Sequence, residues 1–180
     1  MRIEPESTVA LVIDIQEKLF PHIDGHQALE KNCQILVKGL NELGIPVIVT
    51  EQYRKGLGPT LQSLQNLFTD FRPIEKLSFS CCGNGNFLDA LRDHGKRNII
   101  ISGIETHVCV QQTVIDLVER GYQPVVIEDC VSSRKSSDKE IAIRRMLREG
   151  AIITSYESIL FELCKVAGTD QFKVISKLVK

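Results

Sequence analysis

At 180 residues, with 43% hydrophobic and 25% charged residues and a formal net charge of -1, the chain has the composition of a globular domain that buries its own core. No basic excess or block of like charge points to nucleic acid, and no apolar run approaches the roughly 20 residues that span a bilayer, so neither nucleic acid nor membrane is expected as a partner. The whole chain, 1–180, is expected to fold as one domain. The opening "MRIEPESTVALVIDIQ" sets Glu4, Pro5 and Glu6 ahead of its apolar segment, unlike a signal peptide, which makes the cytoplasm the expected compartment.

Short β-branched runs alternate with helical patterns along the chain. The first strand candidate is "VALVID" (9–14), which closes on Asp14. A helix follows over 27–43, where Leu29, Cys33, Leu36, Val37, Leu40 and Leu43 share a face and Gly44 with Pro46 supplies the stop, so Cys33 reads as core. "PVIVT" (46–50), a weak helix over 60–68 and the short strand "PIEK" (73–76) come next; a helix over 86–94 ends at Gly95. "NIIIS" (98–102) leads to a helix on which Val110, Val114, Leu117 and Val118 repeat until Gly121. "PVVIED" (124–129) precedes a helix over 138–149, for which Ser137 and Glu140 read as a capping box and Gly150 as the end. "AIIT" (151–154) and helices over 156–166 and 170–179 finish the chain. Continuous apolar strands between helices of this length predict right-handed βαβ units in a doubly wound parallel sheet.

In such a sheet the ligand site lies beyond the carboxyl ends of the strands, where strand order reverses. Asp14 closes the first strand, Lys76 the third, and "GIETHVCV" (103–110) carries Cys109 just past the fourth. With Thr106 as N-cap, Cys109 falls in the first helical turn, where free N–H groups, the helix dipole and a nearby Lys76 favour a thiolate, and Asp14 is placed to take its proton. The remaining cysteines at 33, 81, 82, 130 and 164 read as packing or incidental residues, with Cys130 just past the fifth strand. With histidines at 22, 26, 94 and 107 they form no zinc-type spacing.

"ALVIDIQ", "IEKLSFSC" and "ISGIETHVCVQQTVIDLVERGYQPVVIEDCVSS" resemble the isochorismatase-like cysteine hydrolases over residues 7 to 160, the last segment being the specific one. The resemblance implies a three-layer α/β/α fold with a six-stranded parallel sheet. It further implies Asp14 as general base, Lys76 as the residue that stabilises the thiolate, and Cys109 as the nucleophile that forms an acyl-enzyme. A cis peptide between Ile104 and Glu105 is implied as well, aiming the backbone N–H of Glu105, with that of Cys109, at the developing oxyanion. Homo-oligomers, dimers or larger, are common in such proteins. Gln16, Phe20, Tyr53, Ile104 and Thr106 are the expected pocket neighbours of a small-molecule substrate.

The segment "TEQYRKGLGPT" departs from the Asp-x-His metal segment of nicotinamidases, leaving Glu51 as a lone carboxylate without imidazole partners. Neither metal nor cofactor is expected. The leading expectation is hydrolysis of a small amide or related C–N bond through a thioester. The alternative is a non-catalytic binding or redox-sensing protein that uses Cys109 as a reactive thiol. A flavodoxin-like nucleotide binder is disfavoured, since "IDIQEKLF" holds no glycine for a phosphate loop.

Overall fold

In the computed structural model, which describes residues 1–180, the strands are β1 (Thr8–Ile13), β2 (Val47–Gln52), β3 (Ile74–Lys76), β4 (Asn98–Ile104), β5 (Gln123–Ser132) and β6 (Ile152–Thr154). Between and after them run α1 (His26–Glu42), the short α2 (Arg54–Leu57) and α3 (Gln62–Gln65), α4 (Gly85–His94), α5 (Gln111–Glu119), α6 (Ser136–Arg148), α7 (Tyr156–Cys164) and α8 (Asp170–Leu178). All strand pairs are parallel, and the six strands lie in the order β3-β2-β1-β4-β5-β6.

Alternation along the central strand divides the interior in two. Ala10 and Val12 pack with Leu36 and Leu40 of α1, Leu160 of α7 and Ile175 of α8. Val9, Leu11 and Ile13 pack with Phe87 of α4, Leu117 of α5 and Met146 of α6. A strand buried on both faces has no polar alternation to show, which is why its sequence is a continuous apolar run. The result is the expected three-layer α/β/α arrangement, each buried aliphatic side chain contributing on the order of 2 kcal/mol of transfer free energy.

From β1 the chain moves outward through β2 and β3, then returns to lay β4 on the other side of β1 and continues to β5 and β6. Strand order therefore reverses between β1 and β4, whose last paired residues are Ile13 and Gly103. Gly103 has φ 136°, and a Cβ there would lie 2.2 Å from the Ile13 carbonyl oxygen. Only glycine lets these two strand ends approach this closely.

Three local expectations differ. The fifth strand does not stop at Asp129: the β4–β5 ladder slips between Ile101 and Gly103 and resumes at Gly103–Val131 and Ile104–Ser132. The exposed Glu128 and half-buried Asp129 sit in that irregular stretch, and Cys130 is a strand residue buried in the core. The helix expected over 60–68 shrinks to Gln62–Gln65. The capping box of Ser137 and Glu140 does not form, because α6 begins two residues earlier, behind an extended Lys135 that makes no side-chain cap.

Candidate active site

β1 ends by turning Asp14 into the left-handed region at φ 54°, a conformation that Asp tolerates better than most residues. Its carboxylate is 1% exposed and fully engaged: Thr50 Oγ1 donates to Oδ1 at 2.8 Å and Lys76 Nζ donates to Oδ2 at 2.6 Å. Lys76, 3% exposed, also donates to Gln52 Oε1 at 2.9 Å and to the carbonyls of Phe79 at 3.0 Å and Ser78 at 3.3 Å. An ammonium buried among this many oxygens stays charged.

The Cys109 thiol completes the cluster. It is 6% exposed, donates to Gln52 Oε1 at 3.7 Å and feels the charges of both Asp14 and Lys76. The turn that carries it, Thr106–Val110, is π-helical, with the Val110 N–H reaching back five residues to the Glu105 carbonyl at 3.3 Å. π-Helical turns recur at functional sites, where the extra residue re-aims a side chain. Thr113 Oγ1 then donates to the Cys109 carbonyl at 2.7 Å and accepts from the Cys81 N–H at 2.9 Å, pinning the turn to the segment after β3.

The electrostatics differ from the thiolate expected for a helix-start cysteine. Burial, then the Asp14 charge, push the Cys109 thiol well above the ordinary cysteine range, and the pull of Lys76 does not offset them. Lys76 has one charge to share, and Asp14 sits 2.6 Å from it. Burial raises the Asp14 carboxyl despite that contact; the Asp14 carboxylate raises Lys76 despite burial. Such a cluster stores a proton on sulfur beside a carboxylate of raised basicity that can receive it.

The peptide between Ile104 and Glu105 is cis. Glu105 occupies the cap position expected for Thr106, and its Oε1 accepts from Arg134 N at 3.1 Å and Nε at 2.9 Å. Thr106 is wholly buried, its hydroxyl without a partner.

A profile of the isochorismatase domain matches residues 8–158. The chain belongs to the isochorismatase family. Isochorismatase family protein 1B of Dictyostelium discoideum is 39% identical over 184 residues, 99% of this chain and 89% of that protein. The structure of MAR1 ribonuclease from Caenorhabditis elegans matches with a TM-score of 0.93 at 38% identity, over 99% of this chain and 92% of that one. The Escherichia coli YcaC gene product, described as an octameric hydrolase of unknown specificity, shares the fold with a TM-score of 0.93 at 22% identity, over 99% of this chain and 90% of its own.

Within this isochorismatase domain the other expected neighbours take varied places. Gln16 is fully buried and spends its amide on backbone, Nε2 donating to the carbonyls of Gln52 and Gly58 and Oε1 accepting from Gln52 N. Phe20 lies in the α1-side core with its ring edge-on to His26, away from the cluster. Tyr53 is 51% exposed at φ 38° and, with Arg54, Glu75, Leu77 and Asn84, lines an open cleft of about 520 Å³ that reaches Lys76 from the sheet edge. Glu51 is committed to the loop beyond it: Oε1 accepts from Thr60 N and Oγ1 at 2.7 and 2.8 Å, and Oε2 lies 3.3 Å from the Arg54 guanidinium.

Sequence reasoning missed Thr50, Gln52, Thr113 and Arg134. Thr50 was within reach, because it closes the strand expected over 46–50 as Asp14 and Lys76 close theirs; Gln52 was not, because that strand runs two residues further than expected. The others act through hydroxyl or backbone contacts that no spacing announces.

Proposed function

We propose that this isochorismatase-family chain is a cysteine-dependent hydrolase of a small amide or related C–N bond, its whole length, 1–180, forming one catalytic domain. The observation that carries the proposal is one buried cluster of carboxylate, ammonium and thiol: Lys76 bonds both Asp14 and Gln52 Oε1, the same oxygen that accepts from Cys109. Asp14 takes the thiol proton as sulfur attacks the carbonyl carbon. The oxyanion is held by the backbone N–H groups of Glu105 and Cys109; the former donates to no backbone carbonyl. Asp14 returns the proton to the leaving nitrogen, the amine departs, and a water deprotonated by Asp14 cleaves the thioester to regenerate Cys109. Lys76 remains charged and keeps Asp14 aimed.

This reading needs neither metal nor cofactor and takes a small molecule as substrate, in the cytoplasm; no helix of the structure is long and apolar enough to cross a membrane. The octameric YcaC fold neighbour supports a homo-oligomer. The formal net charge of -1 supports a partner other than nucleic acid, so purified protein is expected to leave RNA intact although a relative is named a ribonuclease. The redox-sensing alternative is weakened by the protonated resting thiol, since peroxide reacts with thiolate. On a panel of small primary amides, Cys109→Ala and Asp14→Asn are each expected to abolish turnover; full rate in either variant overturns the mechanism.

A further inference from the structure

Gln52 is the one uncharged side chain in hydrogen-bonding reach of both Lys76 and Cys109, and it meets them with a single atom. Its Oε1 accepts from Lys76 Nζ at 2.9 Å and from the Cys109 thiol at 3.7 Å. Its orientation is fixed by polarity: Nε2 donates to the Leu77 carbonyl at 2.9 Å, and a flipped amide would set NH₂ against an ammonium and oxygen against a carbonyl. The main chain behind it is held by the buried Gln16, whose amide bonds both the N–H and the carbonyl of residue 52 at 2.7 and 3.0 Å. The position of this oxygen is therefore built by four neighbours.

A carboxamide oxygen has two lone pairs. In the resting cluster one is used by Lys76 and the other by the thiol. When Asp14 takes the thiol proton, the second lone pair loses its donor, and two electron-rich atoms face each other 3.7 Å apart. A donor placed between them relieves both. A substrate nitrogen about 3 Å from sulfur, as an attacked amide requires, and about 2.9 Å from Gln52 Oε1 closes that triangle without moving either atom.

We propose that Gln52 is a specificity-determining residue of the site: its Oε1 accepts an N–H of the carboxamide that Cys109 attacks, and it becomes available as the thiol proton leaves. The inference rests on the hydrolase reading and narrows it. Groups bearing N–H, such as primary and secondary amides and ureido groups, are selected over oxygen esters and N,N-disubstituted amides. The proton passes from sulfur to Asp14 Oδ, the S–C bond forms at the carbonyl carbon as the C=O π bond breaks, and that electron pair goes to the oxygen, with no net oxidation or reduction.

The test uses two covalent probes on the same acryloyl group, acrylamide with the N–H donor and methyl acrylate without it. In each, sulfur adds to the β-carbon and a proton goes to the α-carbon. Second-order rates of modification at Cys109 are read by peptide mass spectrometry and divided by the rates with glutathione. Wild type is expected to favour acrylamide by tenfold or more after that correction. Gln52→Leu is expected to lose the preference while its alkylation profile moves to lower pH, because the acceptor that stabilises the thiol is gone. Gln52→Glu, which keeps the oxygen and its contact with Lys76, is expected to keep the preference and move the profile to higher pH. Equal probe ratios in wild type and Gln52→Leu, or profiles that move the same way in both variants, overturn the proposal. A merely structural role moves neither the ratio nor the two profiles in opposite directions. Since alkylation does not require turnover, the result stands apart from the amide panel that tests the hydrolase reading.

Discussion

The Asp14 charge raises the Cys109 thiol, and in the proposed mechanism the same carboxylate accepts its proton; these two effects can be separated. Removing the carboxylate while keeping its shape, in Asp14→Asn, frees Lys76 to pair with sulfur, so Cys109 ionises at lower pH. Iodoacetamide labelling at neutral pH is expected to become faster than in wild type even as amide turnover vanishes; slower labelling contradicts the assigned electrostatics. The variant also leaves Lys76 buried without its partner, at a cost of about 3 kcal/mol, measurable by urea unfolding. The sequence named all three residues but misjudged the thiol. Counting Lys76 as a neighbour of Cys109 says nothing about Asp14 having already engaged it, because the division of one charge between two partners is set by distances. Cys81 offers a second check. Burial, then the Asp14 charge, push its thiol from 9.0 to about 12, so the folded state holds this proton more tightly than the unfolded chain. Stability is whole below about pH 9 and falls as pH rises toward 12, by up to about 1.4 kcal/mol per pH unit for this group. Cys81→Ala is expected to melt over a shallower alkaline slope than wild type.

At the scale of elements, the site depends on how β4 gives way to the π-helical turn. Gly103→Ala would set a Cβ 2.2 Å from the Ile13 carbonyl oxygen at φ 136°, a clash between backbones that no rotamer relieves. A loss of at least about 3 kcal/mol in chemical denaturation is expected, the upper range for one residue; an unchanged midpoint would mean the two strand ends are not in contact. The apolar runs announced every strand and the 3.6-residue periodicities the main helices, since both patterns record burial. Boundaries were less legible. The helix after β4 was expected to cap on Thr106, yet Glu105 holds that position, its carboxylate drawn to Arg134 from 29 residues away. Lys135 replaced the capping box of α6, and Asp129 marked a slip in the ladder rather than the end of β5. At Glu105 the cause is clear: a local polar signal was overruled by a long-range partner.

For the whole molecule, strand order brings the ends of β1, β2, β3 and β4 to one place, and that much followed from alternation and the switch-point rule. What alternation could not show is how little of the chain shields the site at the β3 edge. β3 has three residues, and the segment after it wraps Lys76 with the carbonyls of Ser78 and Phe79 while leaving Leu77 77% and Phe79 55% exposed. Tyr53, 51% exposed, stands at the end of neighbouring β2. Large apolar side chains gathered at the rim of a buried polar cluster favour coverage by another surface, and in a homo-oligomer a second copy supplies it. Wild type is therefore expected to sediment well above the 20.2 kDa of one chain, and a Leu77→Asp, Phe79→Asp double variant at the mass of one chain. Because the backbone carbonyls of residues 78 and 79 hold Lys76, loss of the covering subunit should also loosen that segment, lowering amide turnover in proportion to the monomer present. A double variant that keeps the wild-type mass places the contact elsewhere on the molecule, and one that becomes monomeric with undiminished turnover shows that each chain completes its own site.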